Sequence, residues 1–351
     1  MKLAIISFTE RGSRLNEALG QALSMKGYDC VCYGISKYAS KYHLTELQIP
    51  LKEWTREMFQ EKDGILFISA TGIAVRSIAP YVQDKTKDPA IVVMDEKGIF
   101  AISLMSGHLG GANELTAVIA NLTGAIPVIT TATDVNGRFA VDVFAKKNGL
   151  KIESMKLAKA VSADILDEKK VGFYSDFTVI GKVPEELTVI KEGMDFEGDC
   201  GLCISVDKKK HPFKDTLYLI PEIITLGIGC KRDTKEEMIE DRVLEVLEKN
   251  QIPMQAVRKV CSIDLKAKES GILAFCEKYG LEFVTYSAEE LQNVPGEYTE
   301  SEFVRSVTGV SNVCERSAVL GSGNGTLLQK KVSRDGVTVA LAIKEYEVEM
   351  N

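Results

Sequence analysis

The sequence lacks the features that mark several common classes of protein. It has 43 Lys and Arg against 50 Asp and Glu, a net charge of −7 at pH 7, and no lysine-rich or arginine-rich tract. No segment therefore carries enough positive charge to neutralise a phosphate backbone, which argues against nucleic acid as a partner. The chain also has no P-loop pattern and no G-x-G-x-x-G fingerprint, so a nucleotide cofactor is unsupported.

Long apolar runs are missing as well. The opening segment MKLAIISFTERG turns to charge too early for a signal peptide. One uncharged stretch, residues 115–133, is interrupted by Asn121, Gly124 and Pro127. A membrane helix needs about 20 consecutive apolar residues, so this stretch is better interpreted as an amphipathic helix followed by a strand. We expect no membrane partner and a cytoplasmic location.

Histidine is scarce, with three residues, whereas there are eight cysteines. Without a signal sequence, these cysteines are expected to be reduced thiols. The pairs Cys30/Cys32 and Cys200/Cys203 have spacings seen in zinc sites but lie far apart in the sequence. A zinc site built from these four stays an open alternative, and we predict no metal site.

Strand-like apolar runs alternate with helical patterns through the first 150 residues. The predicted strands are KLAIISF, CVCYGI, GILFISA, AIVVMD, FAISLMS and IPVITTA. Helices are predicted around Leu15 to Leu23, from Leu51 to Lys62 and from near Ala112. This alternation is typical of an α/β fold with mostly parallel sheets flanked by helices, here forming an N-terminal α/β domain over residues 1–150.

The rest of the chain divides in two. Shorter, more charged segments predict a smaller middle region and linker over residues 151–222, and a C-terminal α/β domain is predicted over residues 223–351. In that domain a strand leads into a glycine turn and a long helix, which Thr234 and Glu237 are predicted to begin as a capping box. Asp335-Gly336 predicts a β-hairpin turn. The residues of the long helix predicted to face inward are Met238, Val243, Leu244 and Leu247.

Four glycine-containing turns follow predicted strands: SATGIAVR, SGHLGGAN, TTATDVNGR and GIGCKRDT. Ligands of open α/β sheets bind beyond the carboxyl ends of the strands. Glycines let backbone amides approach a ligand, and a helix N-terminus favours an anion. We therefore predict a site for a ligand rich in carboxylates or phosphates, while the alternative is that the glycines serve only tight connections. The predicted binding residues are Gly72, Arg76, Gly107, Gly110, Gly111, Asn113, Thr131, Arg138, Gly229, Cys230, Lys231 and Arg232.

The candidate catalytic residues are His108 and Asp134. His108 lies within the second turn, where an imidazole could contact a ligand and titrate near neutral pH. Asp134 could orient that base or bind the substrate. The open alternatives are that His108 bonds only the loop backbone and that Asp134 only caps a helix.

Three further residues carry chemistry but are assigned structural roles. Cys230 could be a nucleophile at a helix N-terminus, but packing of a small residue is the favoured interpretation. Glu269 and Glu315 lie among apolar residues, and we predict solvated helix faces for both.

Several segments taken in order resemble the cobalt-precorrin-5A hydrolase (CbiG) family of cobalamin biosynthesis. They are ATGIAVRSIAP, GHLGGAN, VITTATD, LGIGCKRDT, SIDLKAKESGI and VCERSAVL. The resemblance implies a hydrolase of the anaerobic pathway whose members open a δ-lactone on a cobalt-bearing tetrapyrrole and release acetaldehyde. The cobalt would come with the substrate, so no separate cofactor is expected. Neighbouring pathway methyltransferases are further candidate partners.

The resemblance also implies a mechanism. His108, steered by Asp134, would activate water against the lactone carbonyl, and the amides of Gly110 and Gly111 would stabilise the oxyanion. In the C-terminal turn, Lys231 and Asp233 replace an arginine and a glycine usual in the family, and the added negative charge weakens the case for an anion there. The alternative function is a non-catalytic carrier of corrinoid intermediates, which would need neither His108 nor Asp134.

Overall fold

The computed structural model describes residues 1–84, 87–108, 110–132 and 137–350. The chain forms two compact units, Met1–Val143 and Phe144–Asn351. Both are built from β-sheets flanked by helices, which confirms the predicted α/β class. Among the described residues, no helix has the length and apolar character needed to cross a membrane.

The first unit is built on a seven-stranded sheet with strand order β3-β2-β1-β4-β5-β6-β7. Its strands are β1 (Lys2–Ser7), β2 (Asp29–Gly34), β3 (Thr45–Glu46), β4 (Gly64–Ile68), β5 (Ala90–Met94), β6 (Phe100–Met105) and β7 (Ile126–Val128). Its helices are α1 (Glu10–Met25), α2 (Ser36–Ala39), α3 (Leu51–Glu61), α4 (Thr71–Ile78) and α5 (Ala112–Thr123), and a short 3₁₀ helix spans Ser40–Tyr42. Helix α6 (Val141–Lys147) follows.

The sheet changes direction at β6. Strands β1 to β5 run parallel to one another, but β6 pairs antiparallel with β5, and β7 runs parallel to β6. Met105, at the carboxyl end of β6, therefore pairs with Ile91, near the amino end of β5. The loops after β6 and β7 lie at the edge of the sheet opposite to the loop after β4. The predicted turn after β4 therefore does not lie at the same edge of this sheet as the predicted turns after β6 and β7.

Alternation along the strands builds two apolar layers in the first unit. Leu3 and Ile5 face one side of the sheet with α1 and α5, while Ala4 and Ile6 face the other side with Trp54. The Trp54 ring packs edge-on against Tyr33 and Phe67. A sheet covered on both faces needs continuous apolar strands, which is the pattern seen in the sequence.

The second unit contains two five-stranded sheets, ordered β11-β9-β12-β13-β8 and β16-β15-β14-β18-β17, and a two-stranded sheet of β10 and β19. The strands are β8 (Leu150–Ile152), β9 (Val171–Ser175), β10 (Thr178–Ile180), β11 (Leu187–Val189), β12 (Cys200–Ile204), β13 (Asp215–Pro221), β14 (Ile224–Cys230), β15 (Val257–Ile263), β16 (Glu282–Tyr286), β17 (Thr326–Arg334), β18 (Val337–Ile343) and β19 (Glu347–Glu349). The helices are α7 (Met155–Leu166), α8 (Glu236–Lys249), α9 (Ser270–Tyr279), α10 (Ala288–Gln292), α11 (Glu302–Thr308) and α12 (Cys314–Gly321), with 3₁₀ helices at Met254–Ala256 and Asp264–Lys266.

Helix α8 corrects part of the prediction for its inward face. Val243 and Leu247 are buried, but Met238 and Leu244 are 40% and 39% exposed. Ile239 and Val246 take the inward positions instead, since the helix is rotated so that this neighbouring stripe faces the sheet.

The predicted capping box at the start of α8 is also wrong. The helix begins at Glu236, its N-cap is Lys235 without a side-chain cap, and the Thr234 hydroxyl donates to the Lys231 carbonyl. The hairpin prediction is confirmed, because β17 and β18 pair antiparallel around Asp335 and Gly336, with φ of 52° and 83°.

Candidate active site

His108 and Asp142 form a close pair in the first unit. The Nδ1 atom of His108 lies 3.1 Å and 3.3 Å from the two carboxylate oxygens of Asp142. The side chains are only 11% and 18% exposed. His108 comes from the loop between β6 and α5, and Asp142 from the first turn of α6, so folding joins two groups that are 34 residues apart. Sequence reasoning missed Asp142.

The backbone of the β6–α5 loop explains its glycines. A Cβ atom on Gly110 would overlap the Ser106 side chain and lie 2.8 Å from the Ser106 carbonyl oxygen. Gly111 has φ of 85°, a left-handed conformation that favours glycine. Its amide donates to the His108 carbonyl at 3.0 Å. The Gly111 amide, predicted as an oxyanion donor, thus already has a main-chain acceptor in this structure.

The same loop supplies acceptors for the first turn of α5. The amide of Ala112 donates to the Ser106 carbonyl at 3.1 Å, and the amide of Asn113 to the Gly107 carbonyl at 3.0 Å. These bonds satisfy groups that a helix start otherwise leaves open, and α5 has no side-chain cap. The loop is thus fixed to the helix through its main chain.

The Asn113 side chain links three elements around the loop. Its oxygen accepts from the Ser103 hydroxyl of β6 at 2.6 Å, and its nitrogen donates to the Thr131 hydroxyl, beyond β7, at 3.2 Å. A Cβ on Gly107 would lie 2.7 Å from the Asn113 amide oxygen. The structure therefore brings together the predicted residues Gly107, Asn113 and Thr131 beside His108.

Other predicted residues of the first unit are placed differently. Gly72 and Arg76 lie on α4, after β4, at the opposite edge of the sheet from His108, and the Arg76 guanidinium folds back over Gly72. The structure does not group them with the β6–α5 loop. Arg138 is partly buried in the segment before α6. Asp134 lies outside the described residues.

The fourth predicted turn is mostly strand. Gly229 and Cys230 belong to β14, and a Cβ on Gly229 would lie 2.9 Å from the Cys314 sulfur of α12. This glycine serves helix packing. Burial raises the pKa of the Cys230 thiol. The next helix, α8, begins six residues after Cys230, at Glu236, so Cys230 does not lie at a helix N-terminus. Cys230 packs against the apolar core of this unit, and these observations favour the packing interpretation over the nucleophile hypothesis.

A buried carboxylate accepts hydrogen bonds from the main-chain amides of the turn between β14 and α8. Lys231 and Arg232 are exposed, but the amides of Asp233 and Thr234 bond the side chain of Glu269. Glu269 is buried and lies 2.7 Å from the Lys266 ammonium. Burial acts to raise the pKa of Glu269, but Lys266 and the two amides hold it below its usual value. The prediction of a solvated Glu269 is wrong, because the turn binds an anion from its own chain.

Glu315 is buried as well. One oxygen accepts from the Thr299 amide at 2.9 Å and the other from the Lys331 amide at 2.8 Å. The prediction of a solvated face is therefore wrong for this residue too. Its neighbour Arg316 lies over the Tyr298 ring and donates to three main-chain carbonyls around the end of α10.

Burial disfavours the thiolate form of the four cysteines in the zinc alternative. Burial raises the pKa of Cys32, Cys200 and Cys203 to about 12, whereas zinc binds the thiolate. Burial also raises the pKa of Cys30. Within the described part of the chain, no group of three or more His, Cys, Asp or Glu side chains is arranged to hold a metal ion.

Three consecutive regions of the chain match models of known protein families. Family models match as Cobalamin synthesis G N-terminal over residues 53–134, Cobalamin biosynthesis central region over 139–221 and Cobalamin synthesis G C-terminus over 224–342. His108 falls within the first model and Asp142 within the second.

Two curated relatives carry the name cobalt-precorrin-5A hydrolase. The one from Priestia megaterium is 32% identical over 361 residues, covering 98% of this chain and 95% of the relative. The one from Salmonella typhimurium is 36% identical over 296 residues, covering 82% and 84%. A solved cobalamin biosynthesis protein G homologue from Sulfolobus solfataricus is 23% identical, with a TM-score of 0.42 and coverage of 98% and 97%.

Proposed function

This chain belongs to the cobalamin synthesis G family and is a hydrolase of cobalamin biosynthesis, and from that premise we propose the reaction that it catalyses. It opens the δ-lactone of cobalt-precorrin-5A and releases a two-carbon unit as acetaldehyde, giving cobalt-precorrin-5B. The names of the relatives support the substrate. The observation that supports a catalytic role is the partly buried imidazole of His108 paired with the Asp142 carboxylate.

In the first step His108 acts as general base. It takes a proton from water, the water oxygen bonds to the lactone carbonyl carbon, and the ring C–O bond breaks. The lactone becomes a carboxylate and a free hydroxyl on the C20 carbon. The β6–α5 loop suits this step because hydrogen bonds to α5 fix its main chain, so the base need not be ordered when substrate binds.

In the second step the C20 hydroxyl loses its proton and a carbonyl group forms. The bond between C20 and the macrocycle breaks, acetaldehyde leaves, and the electron pair passes to the macrocycle. The cobalt is part of the substrate, and the chain contributes no cofactor of its own. We assign His108 to the first step, and Asp134, predicted to orient that base or to bind a substrate group, stays a candidate catalytic residue.

The substrate carries acetate and propionate side chains, which need polar and cationic partners. Gly107, Asn113 and Thr131 lie in the bonded cluster beside His108, and Arg138 is in the segment before α6. They are the substrate-binding residues we propose for this site. Arg76, Lys231 and Arg232 are exposed cations elsewhere that could guide a polyanion by long-range attraction. Delivery by a neighbouring methyltransferase is part of the same proposal.

The test is anaerobic incubation of the purified protein with cobalt-precorrin-5A. Acetaldehyde is trapped with a carbonyl reagent, and the macrocycle is followed by mass spectrometry. One equivalent of acetaldehyde per macrocycle of the product mass is expected. A macrocycle that binds but stays unchanged would support the carrier instead, and absence of binding would reject the substrate.

A further inference from the structure

We infer that Asp142 is a positioning residue, which fixes the His108 imidazole with its proton on Nδ1 and so directs Nε2 to act as the base. The inference rests on the proposed catalytic role of His108. Asp142 touches neither water nor substrate in this scheme, and it acts only through the ring.

The contact itself requires this tautomer. Both Asp142 oxygens lie within 3.3 Å of Nδ1, and an ionised carboxylate can only accept hydrogen bonds. Nδ1 must therefore donate. A neutral imidazole carries one N–H, so Nε2 is left with its lone pair, as a general base requires. The low exposure of both side chains limits competition from water and strengthens the contact.

Asp142 is also held in place. It lies in the first turn of α6, and one of its carboxylate oxygens accepts from the Val143 amide at 3.0 Å. On the same helix, the neighbouring Val141 is buried. An aspartate side chain has few rotatable bonds, so a fixed helix start fixes the carboxylate. The ring and its partner are thus both set before substrate arrives.

A second histidine pair in the same unit shows what the burial adds. Nδ1 of His43 lies 2.6 Å from the Glu17 carboxylate, but the His43 side chain is 83% exposed. Water competes for both partners there, so this contact imposes little preference on the ring. His43 is therefore an internal reference for His108.

The scarcity of histidine makes a direct measurement practical. The full-length protein gives only three imidazole spin systems, from His43, His108 and His211. In ¹⁵N-labelled protein at pH 8, where an ordinary imidazole of pKa about 6.5 is neutral, long-range ¹H–¹⁵N correlations identify which nitrogen carries the proton. The His108→Gln variant assigns the signal. The variants compared are Asp142→Asn and, as control, Glu114→Gln, which removes an exposed charge in the first turn of α5.

Wild-type protein should show His108 protonated on Nδ1. Asp142→Asn, whose amide can donate, should shift the proton toward Nε2, while Glu114→Gln should leave it on Nδ1. A wild-type ring protonated on Nε2 or on both nitrogens overturns the inference, as does an unchanged ring in Asp142→Asn. If that variant does not fold, as judged by loss of the dispersed backbone amide signals of the native protein, the wild-type tautomer alone decides.

Kinetics separate this inference from the proposed function. With cobalt-precorrin-5A, Asp142→Asn should lower kcat by roughly 10²-fold or more, with little change in KM, because the ring then presents the wrong nitrogen. A change confined to KM would contradict a positioning role. The tautomer is measured without substrate, so a correct tautomer without acetaldehyde release rejects only the reaction, and acetaldehyde release with the wrong tautomer rejects only the role of Asp142.

Discussion

A Cβ atom on Gly227 of β14 would overlap the main-chain carbonyl of Cys314 in α12. The helix lies directly on the strand at this point, so the site accepts no side chain. The Gly227→Ala variant should be destabilised by roughly 1–3 kcal/mol or more, because an extra methyl group in a packed core displaces the backbone. Thermal unfolding measures the loss. Gly72→Ala is the matched control, since its Cβ would lie at an ordinary 3.5 Å from the Arg76 guanidinium, and equal melting of both variants would contradict the packing described.

The proposed base is tested by His108→Gln. Loss of the general base should lower acetaldehyde release by roughly 10²- to 10⁴-fold. The control is the same substitution at His43, an exposed residue that has no proposed part in catalysis, and it should leave turnover unchanged. Turnover of His108→Gln at the wild-type rate would remove His108 from the mechanism.

Glu315 is expected to matter for stability. Glu315→Ala removes the buried acceptor of the Thr299 and Lys331 amides, at a cost of roughly 1–3 kcal/mol. Glu315→Gln keeps one acceptor oxygen and should lose less. Urea denaturation measures the free energy of unfolding of both variants, and Glu315→Ala should be the less stable. If Glu315→Gln were the less stable variant, the charge of Glu315 rather than its acceptor oxygens would matter.

Glu269 should make the stability of the folded protein depend on pH in the acidic range. Its pKa in the folded protein is lowered from the usual 4.5, despite burial, by Lys266 and the amides of the β14–α8 turn. A lowered folded pKa contributes stability above the unfolded pKa, and this contribution is lost as pH falls through the folded pKa. The melting temperature of the wild type should therefore fall more steeply below about pH 4.5 than that of Glu269→Gln. Glu297→Gln, at an exposed site, should follow the wild type, and parallel curves for all three proteins would refute the assignment.

The buried thiols should be unreactive in the folded protein. Burial raises the pKa of Cys261, Cys276 and Cys314 to about 12, and only the thiolate is nucleophilic. Iodoacetamide at pH 8 should leave these three unmodified in native protein and modify all eight cysteines in guanidinium chloride. Mass spectrometry of the digests measures this, and rapid native modification of Cys314 would show that its surroundings open.

Local pattern was sufficient to predict six of the strands of the first unit and its helices α1, α3 and α5, but not the direction of β6. FAISLMS is apolar whichever way it runs. The signal was the connection, because only five residues, from Asp95 to Ile99, separate β5 from β6. A parallel crossover needs about a dozen residues. The Asp95 carboxylate closes this short turn by accepting from the amides of Ile99 and Phe100.

The candidate site was predicted in part for a similar reason. His108 was identifiable because glycines surround it in the sequence, whereas Asp142 stands in an ordinary helical pattern. Contact between residues 34 positions apart depends on where β6, β7 and α6 lie. Glu269 and Glu315 were predicted as surface charges because both bond main-chain amides, which every residue except proline carries and which therefore leave no signal in the sequence.

Because β6 runs antiparallel to β5, the structural constraints on the loops at the two ends of the first sheet are independent of each other. The loop that holds His108 lies at one end and the start of α4, with Gly72, lies at the other, and strands of five residues, about 16 Å long, stand between them. Substitutions or insertions after β4 can accumulate without moving the β6–α5 loop. Evolution or protein engineering can thus change the end of this unit that follows β4, and any ligand bound there, while the loop with the proposed base His108 stays unchanged at the other end.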